Sequence, residues 1–296
     1  MSDRSSSSDQ PEIRAVAPRR RPRLRAADAS IVLAFGFMGL LVLGAVLADW
    51  IPGLAAPNIQ VGDFSGPPAL TLNHLLGTDA LGRSTFARVL YGARTSLTIV
   101  CFATALSLGL GIVIGMLAGF YRGFVERLVD LYATTLSALP PVLVILALIT
   151  ATGTSVLTMT VAMGLLGIGT YARITKGAVI SQAGRDYVLA ARALGATDPR
   201  LLVMELLPNL VPTLTAIVPP LMAGLIVTEG SLSFLGYGIP SPAPSWGGMI
   251  AGSTDLMARF PLLIVGPILA IVLTVYSLNS IGDYMARQVD VREGQL

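Results

Sequence analysis

The chain has 296 residues and a mass of 30.9 kDa, with 53% hydrophobic residues, 12% charged residues and a mean hydropathy of +0.73. Soluble domains carry about 25% charged residues, so this composition argues for a bundle in a bilayer rather than a water-covered globule. Cys101 and His74 are its only cysteine and histidine, which excludes a disulfide scaffold and disfavours a zinc or haem centre. The net charge of +3 is explained by where the basic residues sit, and does not call for nucleic acid as a partner.

In chain order, residues 1–29 form a basic, serine- and proline-rich stretch too polar to build a core, expected to be a disordered cytoplasmic tail. Its arginines read as a topology determinant. Six apolar runs follow, at 31–48, 96–120, 131–151, 155–172, 210–228 and 261–281, each near the ~20 residues that a spanning helix needs and none holding an ionisable Asp, Glu, Lys, Arg or His. The first is longer than a signal-peptide core, so it counts as a span although Ala45-Val46-Leu47-Ala48 resembles a cleavage site. The third and fourth are joined by Thr152-Gly153-Thr154 as a tight turn. With the amino terminus inside, most basic residues fall on the cytoplasmic side, and only Arg83, Arg88, Arg94 and Arg259 fall outside. Both termini are therefore expected in the cytoplasm, with residues 30–285 as the membrane domain and 286–296 as a second tail.

The second span repeats a small residue every four positions, at Ala103, Ser107, Gly111, Gly115 and Gly119, which predicts a stripe for close helix packing. Pro140-Pro141 in the third span and Pro219-Pro220 in the fifth predict a kink or break in each helix. Carbonyls freed there need protein or water as neighbours. Spans three and five are accordingly candidates to line a translocation route, with Thr134, Thr135, Ser137, Thr213 and Thr215 as polar lining beside Pro140, Pro141, Pro219 and Pro220. Glu229, at the outer end of span five, is a further candidate, alongside the plainer reading that it pairs with an arginine.

Intramembrane catalysis needs a nucleophile with a base, or a liganded metal. Cys101 lies in an apolar span, and no intramembrane His, Asp or Lys accompanies any serine. The only lysine, Lys176, sits in Thr175-Lys176-Gly177, which is not a phosphate-binding loop. Energy for active transport would have to enter from a partner. A place for it is the cytoplasmic loop at 173–208. A short helix from Asp186 is stopped by Gly195; a second is expected to start with Asp198 as N-cap and Pro199 at its first position, and to run over 201–207 before ending at Pro208-Asn209. Small residues at Ala190, Ala191 and Ala193 with charge at Arg192 and Asp198 suit docking in another protein's groove.

Ala190-Ala191, Gly195 and Leu207-Pro208 at their spacing resemble the EAA signature of permease subunits in binding-protein-dependent ABC importers, with Leu189 in place of the signature's glutamate and Glu205 in place of its isoleucine. The segment from His74 to Arg83, followed by Tyr91–Leu97, resembles the C-type subunit of dipeptide and oligopeptide permeases, with Ser84 where an aspartate is usual. Glu229-x-x-Leu232-Ser233-Phe234-Leu235-Gly236, then Pro242-x-Pro244-Ser245-Trp246-Gly247, is similar to the loop after span five in the same subunits.

The resemblance implies an all-α membrane protein with the six-helix fold of type I ABC importer permeases. It implies a bacterial inner-membrane subunit that is not itself an enzyme. A second homologous permease, one or two ABC ATPases that bind ATP and Mg, and an extracytoplasmic solute-binding protein would be its partners, and the chain itself would carry no cofactor. Ala190, Ala191, Arg192, Gly195, Ala196 and Asp198 would belong to the coupling helix that contacts an ATPase. Peptides are the implied cargo, with nickel complexes or glutathione as alternatives within the family. A secondary carrier or channel working alone is the reading from another class, and ion-free spans disfavour it.

Overall fold

The computed structural model describes residues 24–293. The tail expected at 1–29 therefore lies largely outside the described residues. Among the described residues, the α-helices are α1 Leu24–Leu47, α2 Thr85–Tyr121, α3 Phe124–Ala138, α4 Pro141–Thr152, α5 Val156–Ala183, α6 Asp186–Ala193, α7 Asp198–Arg200, α8 Leu207–Leu232, α9 Trp246–Gly252 and α10 Leu262–Glu293. Among the described residues the only β pairing is two isolated bridges, Gln60 with Arg83 and Thr78 with Ser84. Five helices are long and apolar enough to cross a membrane, and six spans result if α3 and α4 are counted as one bent pair.

The small-residue stripe of α2 is the central seam of the bundle. Gly111 backs onto Tyr171, Gly115 onto Ala172 and Thr175, and Gly119 onto Val179 of α5. A Cβ at Gly115 would lie 2.5 Å from the Ala172 carbonyl oxygen, so only glycine permits this approach. Ser107 donates to the carbonyl of Gly164 across the same seam at 2.7 Å. These contacts advance in the same direction along both helices, so α2 and α5 run parallel. They carry the chain from one end of the bundle, holding residues 48–84 and 238–261 (the cap end), to the other, holding 184–200 (the loop end). α8 and α10 make the second extensive pairing, and α1 lies against α10 and α2.

The two proline pairs behave differently. At Pro140-Pro141 the helix breaks and turns by 89°. A proline pushes its predecessor into extended backbone. With two in a row, both Leu139 (ψ 138°) and Pro140 (ψ 118°) are extended, and the single span expected over 131–151 is two helices. At Pro219-Pro220 the helix continues. There Pro220 packs on Gly282 of α10, and the Ala216 carbonyl, which Pro220 leaves without a donor, faces the same glycine. A packed neighbour takes the place of the lost bond.

One further expectation is corrected, and the C-terminal segment gains a description. The helix expected to end at Pro208-Asn209 does not end there: a π-helical stretch over Leu201–Leu206 runs directly into α8. The Leu207 N–H reaches back to the Leu202 carbonyl, and this wider turn relieves the clash between the Pro208 ring and the preceding turn. The C-terminal tail expected from residue 286 is helical to Glu293, as part of α10.

Candidate functional site

Gly195 shapes the loop end. The Ala196 N–H bonds the Ala191 carbonyl and the Gly195 N–H bonds the Arg192 carbonyl, both at 3.0 Å, while Gly195 adopts φ +85°. This is the Schellman stop for a helix, and the left-handed residue in it favours glycine. Thr197, not Asp198, is the N-cap of the following turn, and its side chain makes no capping bond. Asp198 is the first helical residue instead, where a carboxylate suits the positive end of the helix, with Pro199 beside it.

The loop is anchored from beneath. Val188, Leu201 and Leu206 are fully buried in one cluster with Met116, Val179 and Leu210. Ala191 and Ala196 rest on that cluster, and the Arg192 guanidinium lies 5.5 Å from the Phe120 ring centroid. Tyr187 donates to Gln182, and burial pushes its phenol up from the usual tyrosine range. Above this base, Ala190, Ala193, Gly195 and Asp198 are exposed. Leu189 is 49% exposed and Leu194 89% exposed. Sequence reasoning did not single out Leu194, a leucine placed directly before the helix-stopping glycine and left bare at the crest.

The candidate pathway residues are not brought together. Ser137 bonds the Ala133 carbonyl one turn back, just before the break at Pro140 and Pro141. Thr215 is exposed on α8 and bonds the carbonyls of Val211 and Pro212. Val211 is exposed beside it near the loop end of α8, whereas Gly224, Val227 and Ser231 are exposed on a different face further along the helix. Pro219 is buried and Pro220 faces α10.

Glu229 is completely buried. Among the described residues it has no arginine partner; Ser233 donates to its Oε1 at 2.7 Å. The Ser96 hydroxyl of α2 is likewise buried and lies beside the carboxylate.

At the cap end, separate stretches of sequence converge. Gly77 and Gly82 turn with φ +76° and +71°, bringing Asp79 to Arg83 at 2.7 Å and to Arg88 at 3.5 Å. Ser84 caps α2 by accepting from the Ala87 N–H, a role that aspartate serves equally well. The buried Trp246 indole donates to the Val89 carbonyl at 3.0 Å and its ring covers Gly92. Gly247 lies directly on the Gly230 carbonyl, one residue from Glu229. Arg94 reaches the Ala45 and Val46 carbonyls and Asp49 at the end of α1, and Tyr91 donates to the same aspartate. The cap is thus a clasp locking α1, α2, α8 and the returning segment before α10.

Comparison with known proteins matches residues 111–294 to the family described as binding-protein-dependent transport system inner membrane component. The chain is 34% identical over 259 residues to the di/tripeptide transport system permease protein DppC of Pseudomonas aeruginosa, covering 86% of this chain and 85% of that protein. It is 32% identical over 255 residues to the glutathione transport system permease protein GsiD of Shigella dysenteriae, covering 86% and 84%. Among solved structures, a chain of the MetNI methionine ABC transporter in inward-facing conformations superposes with a TM-score of 0.56 at 17% identity. That match covers 68% of this chain and 96% of the other, a likeness of fold.

Proposed function

We propose that this chain, which belongs to the family of binding-protein-dependent transport system inner membrane components, is the permease subunit of an ATP-driven importer of di- and oligopeptides. In this reading a homologous permease supplies the other half of the pathway. One or two ABC ATPases bind ATP and Mg and dock at the loop end, and a solute-binding protein delivers cargo at the cap end. The chain sits in the bacterial inner membrane with both termini cytoplasmic, so the cap faces outward. The permease domain spans residues 30–285, with 173–208 as the coupling segment.

The observation that carries this reading is the bent, firmly seated loop from Asp186 to Arg200, whose base is core and whose crest combines small residues with two bare leucines and Asp198. Such a crest fits a groove on another protein. Its buried base passes force into α5 and α8 instead of flexing. Movement of the docked ATPases would then shift the loop as a body, displace α8 against the α2–α5 pair and switch access between the two ends of the bundle. The exposed part of α8 around Val211 and Thr215 is the proposed pathway wall, facing the partner permease.

The test is Gly195→Arg in the assembled transporter. The expected result is a chain that still inserts, with uptake abolished and ATPase co-purification weakened. Normal assembly together with normal transport would overturn the coupling role. Uptake by the chain alone in liposomes, without ATP, would overturn the importer reading as a whole.

A further inference from the structure

The transport reading leaves one motif unused. Ala45-Val46-Leu47-Ala48 resembles a signal-peptide cleavage site, and what precedes it has the order of a secretory signal: arginines at 19, 20, 21, 23 and 25, then an apolar core. The bond to be cut would be Ala48–Asp49. A peptidase takes its substrate as an extended strand, and the fold holds this segment in another form. α1 is helical to Leu47, a 3-10 turn follows over Ala48–Trp50, and Ile51 is the first extended residue after it. Ala45 and Ala48, the small side chains of the motif, are 3% and 1% exposed. Arg94 of α2 fastens the same residues. Its Nε donates to the Ala45 carbonyl at 2.8 Å and its Nη2 to that of Val46 at 3.1 Å, carbonyls that a helix end leaves without partners. Its Nη1 pairs with Asp49 at 2.9 Å. One guanidinium therefore grips the chain on both sides of the Ala48–Asp49 bond.

We infer that Ala48–Asp49 is a concealed processing site, a signal-peptidase motif that the Arg94 clamp keeps uncut so that α1 stays as a span. The reaction prevented is hydrolysis: water adds across the amide, leaving a carboxyl on Ala48 and an amine on Asp49. Cutting requires the end of α1 to unwind, which breaks the Arg94 contacts and draws both alanines out of the packing. Arg94 lies 45 residues beyond Asp49. The motif is therefore made before its clamp, and concealment is complete only once α2 has docked on α1. This inference rests on the proposed orientation, with the cap outside, where signal peptidase acts.

The test uses the full chain with a C-terminal tag, expressed with its partner subunits in bacteria. Immunoblotting and N-terminal sequencing are the readouts. Wild type is expected whole, and Arg94→Ala is expected to give a shorter tagged species that begins at Asp49. Val46 stands third before the bond and is 60% exposed, so Val46→Phe spoils the small-residue motif without crowding the core. The double variant R94A/V46F should again be whole, as should R94A in cells depleted of signal peptidase. The inference is overturned if R94A stays whole, if wild type is itself cut, or if the short species starts elsewhere or survives V46F. If R94A is degraded outright, Arg94→Lys decides. It keeps a cation for Asp49 but loses the fork that spans both carbonyls, so a fraction of chains should begin at Asp49; an uncut R94K overturns the site. Leu70→Cys in a Cys101→Ala background tests the orientation separately. Residue 70 is fully exposed at the cap and should react with a membrane-impermeant maleimide added from outside. Labelling there with R94A uncut removes the concealed site alone, whereas no labelling removes the orientation and the inference with it.

Discussion

Truncation of Leu194 separates docking from folding. Its side chain is 89% exposed, so Leu194→Ala removes almost nothing from the core and should change the stability of the chain by no more than about 0.5 kcal/mol. The loop's geometry also survives, because it depends on Gly195 at φ +85° and on Val188 and Leu201 in the core. If Leu194 enters an ATPase groove, burying it contributes about 2 kcal/mol to association, and its loss weakens that association roughly 30-fold. The measurement is the affinity between the purified permease pair and its ATPase, with thermal unfolding run in parallel. Leu70, fully exposed at the cap end, supplies the control: Leu70→Ala should leave the affinity unchanged. An affinity for Leu194→Ala within about threefold of wild type, with normal transport, would refute the docking geometry.

Gly115→Leu should be far more damaging than any crest substitution, because even a Cβ there would meet the Ala172 carbonyl; the expected loss exceeds about 3 kcal/mol and should appear as failed assembly or a large fall in Tm. Trp246→Phe keeps much of the aromatic bulk and removes the bond to Val89, so thermal unfolding should report a loss of about 1–2 kcal/mol, with ATPase binding at the opposite end unaffected. Glu229→Gln preserves an acceptor for Ser233 and should retain assembly, whereas Glu229→Lys buries an unpaired cation among apolar helices and should be absent from the membrane fraction on immunoblotting.

How much of this was legible in the sequence follows the range of the interactions involved. The α2 seam was visible because a four-residue repeat fixes which side chains share a stripe, whatever the stripe meets. Gly195 was visible because a helix stop is a local backbone event. The proline pairs show the boundary. At Pro140-Pro141 the local rule for residues before proline decides the outcome, and the helix breaks. At Pro219-Pro220 the outcome depends on Gly282 of α10, more than sixty residues away in sequence, and the helix continues. The expected helix end at Pro208 failed because a π turn absorbs that ring. The sequence offers Glu229 both as a pathway residue and as an arginine's partner, because Ser233 and Ser96, which surround it, come together only in the fold.

The architecture also explains how a rigid loop and a rigid cap can act on one another. α2 and α5 run parallel from the cap to the loop, joined by glycines that leave no slack between backbones. A pair packed this closely resists bending between the loop's buried base and the clasp of Asp79, Arg88 and Trp246. α8 differs: it rises from the loop through a π turn, carries three internal prolines and ends in a second π turn at Ser233–Tyr237. Missing hydrogen bonds soften a helix along its length, so α8 can bend where α2 and α5 cannot. Its soft positions lie between the loop that receives force and the Glu229–Ser233 pair beneath the cap. On this reasoning the moving part is the wall formed by α8, pivoting against Gly282 on α10, while the α2–α5 pair is the frame. Cross-linking α8 to α10 beside Gly282 should therefore arrest transport while leaving ATPase docking intact, and a cross-link between α2 and α5 should leave transport running. The reverse pattern in an uptake assay would assign the frame and the moving wall the other way round.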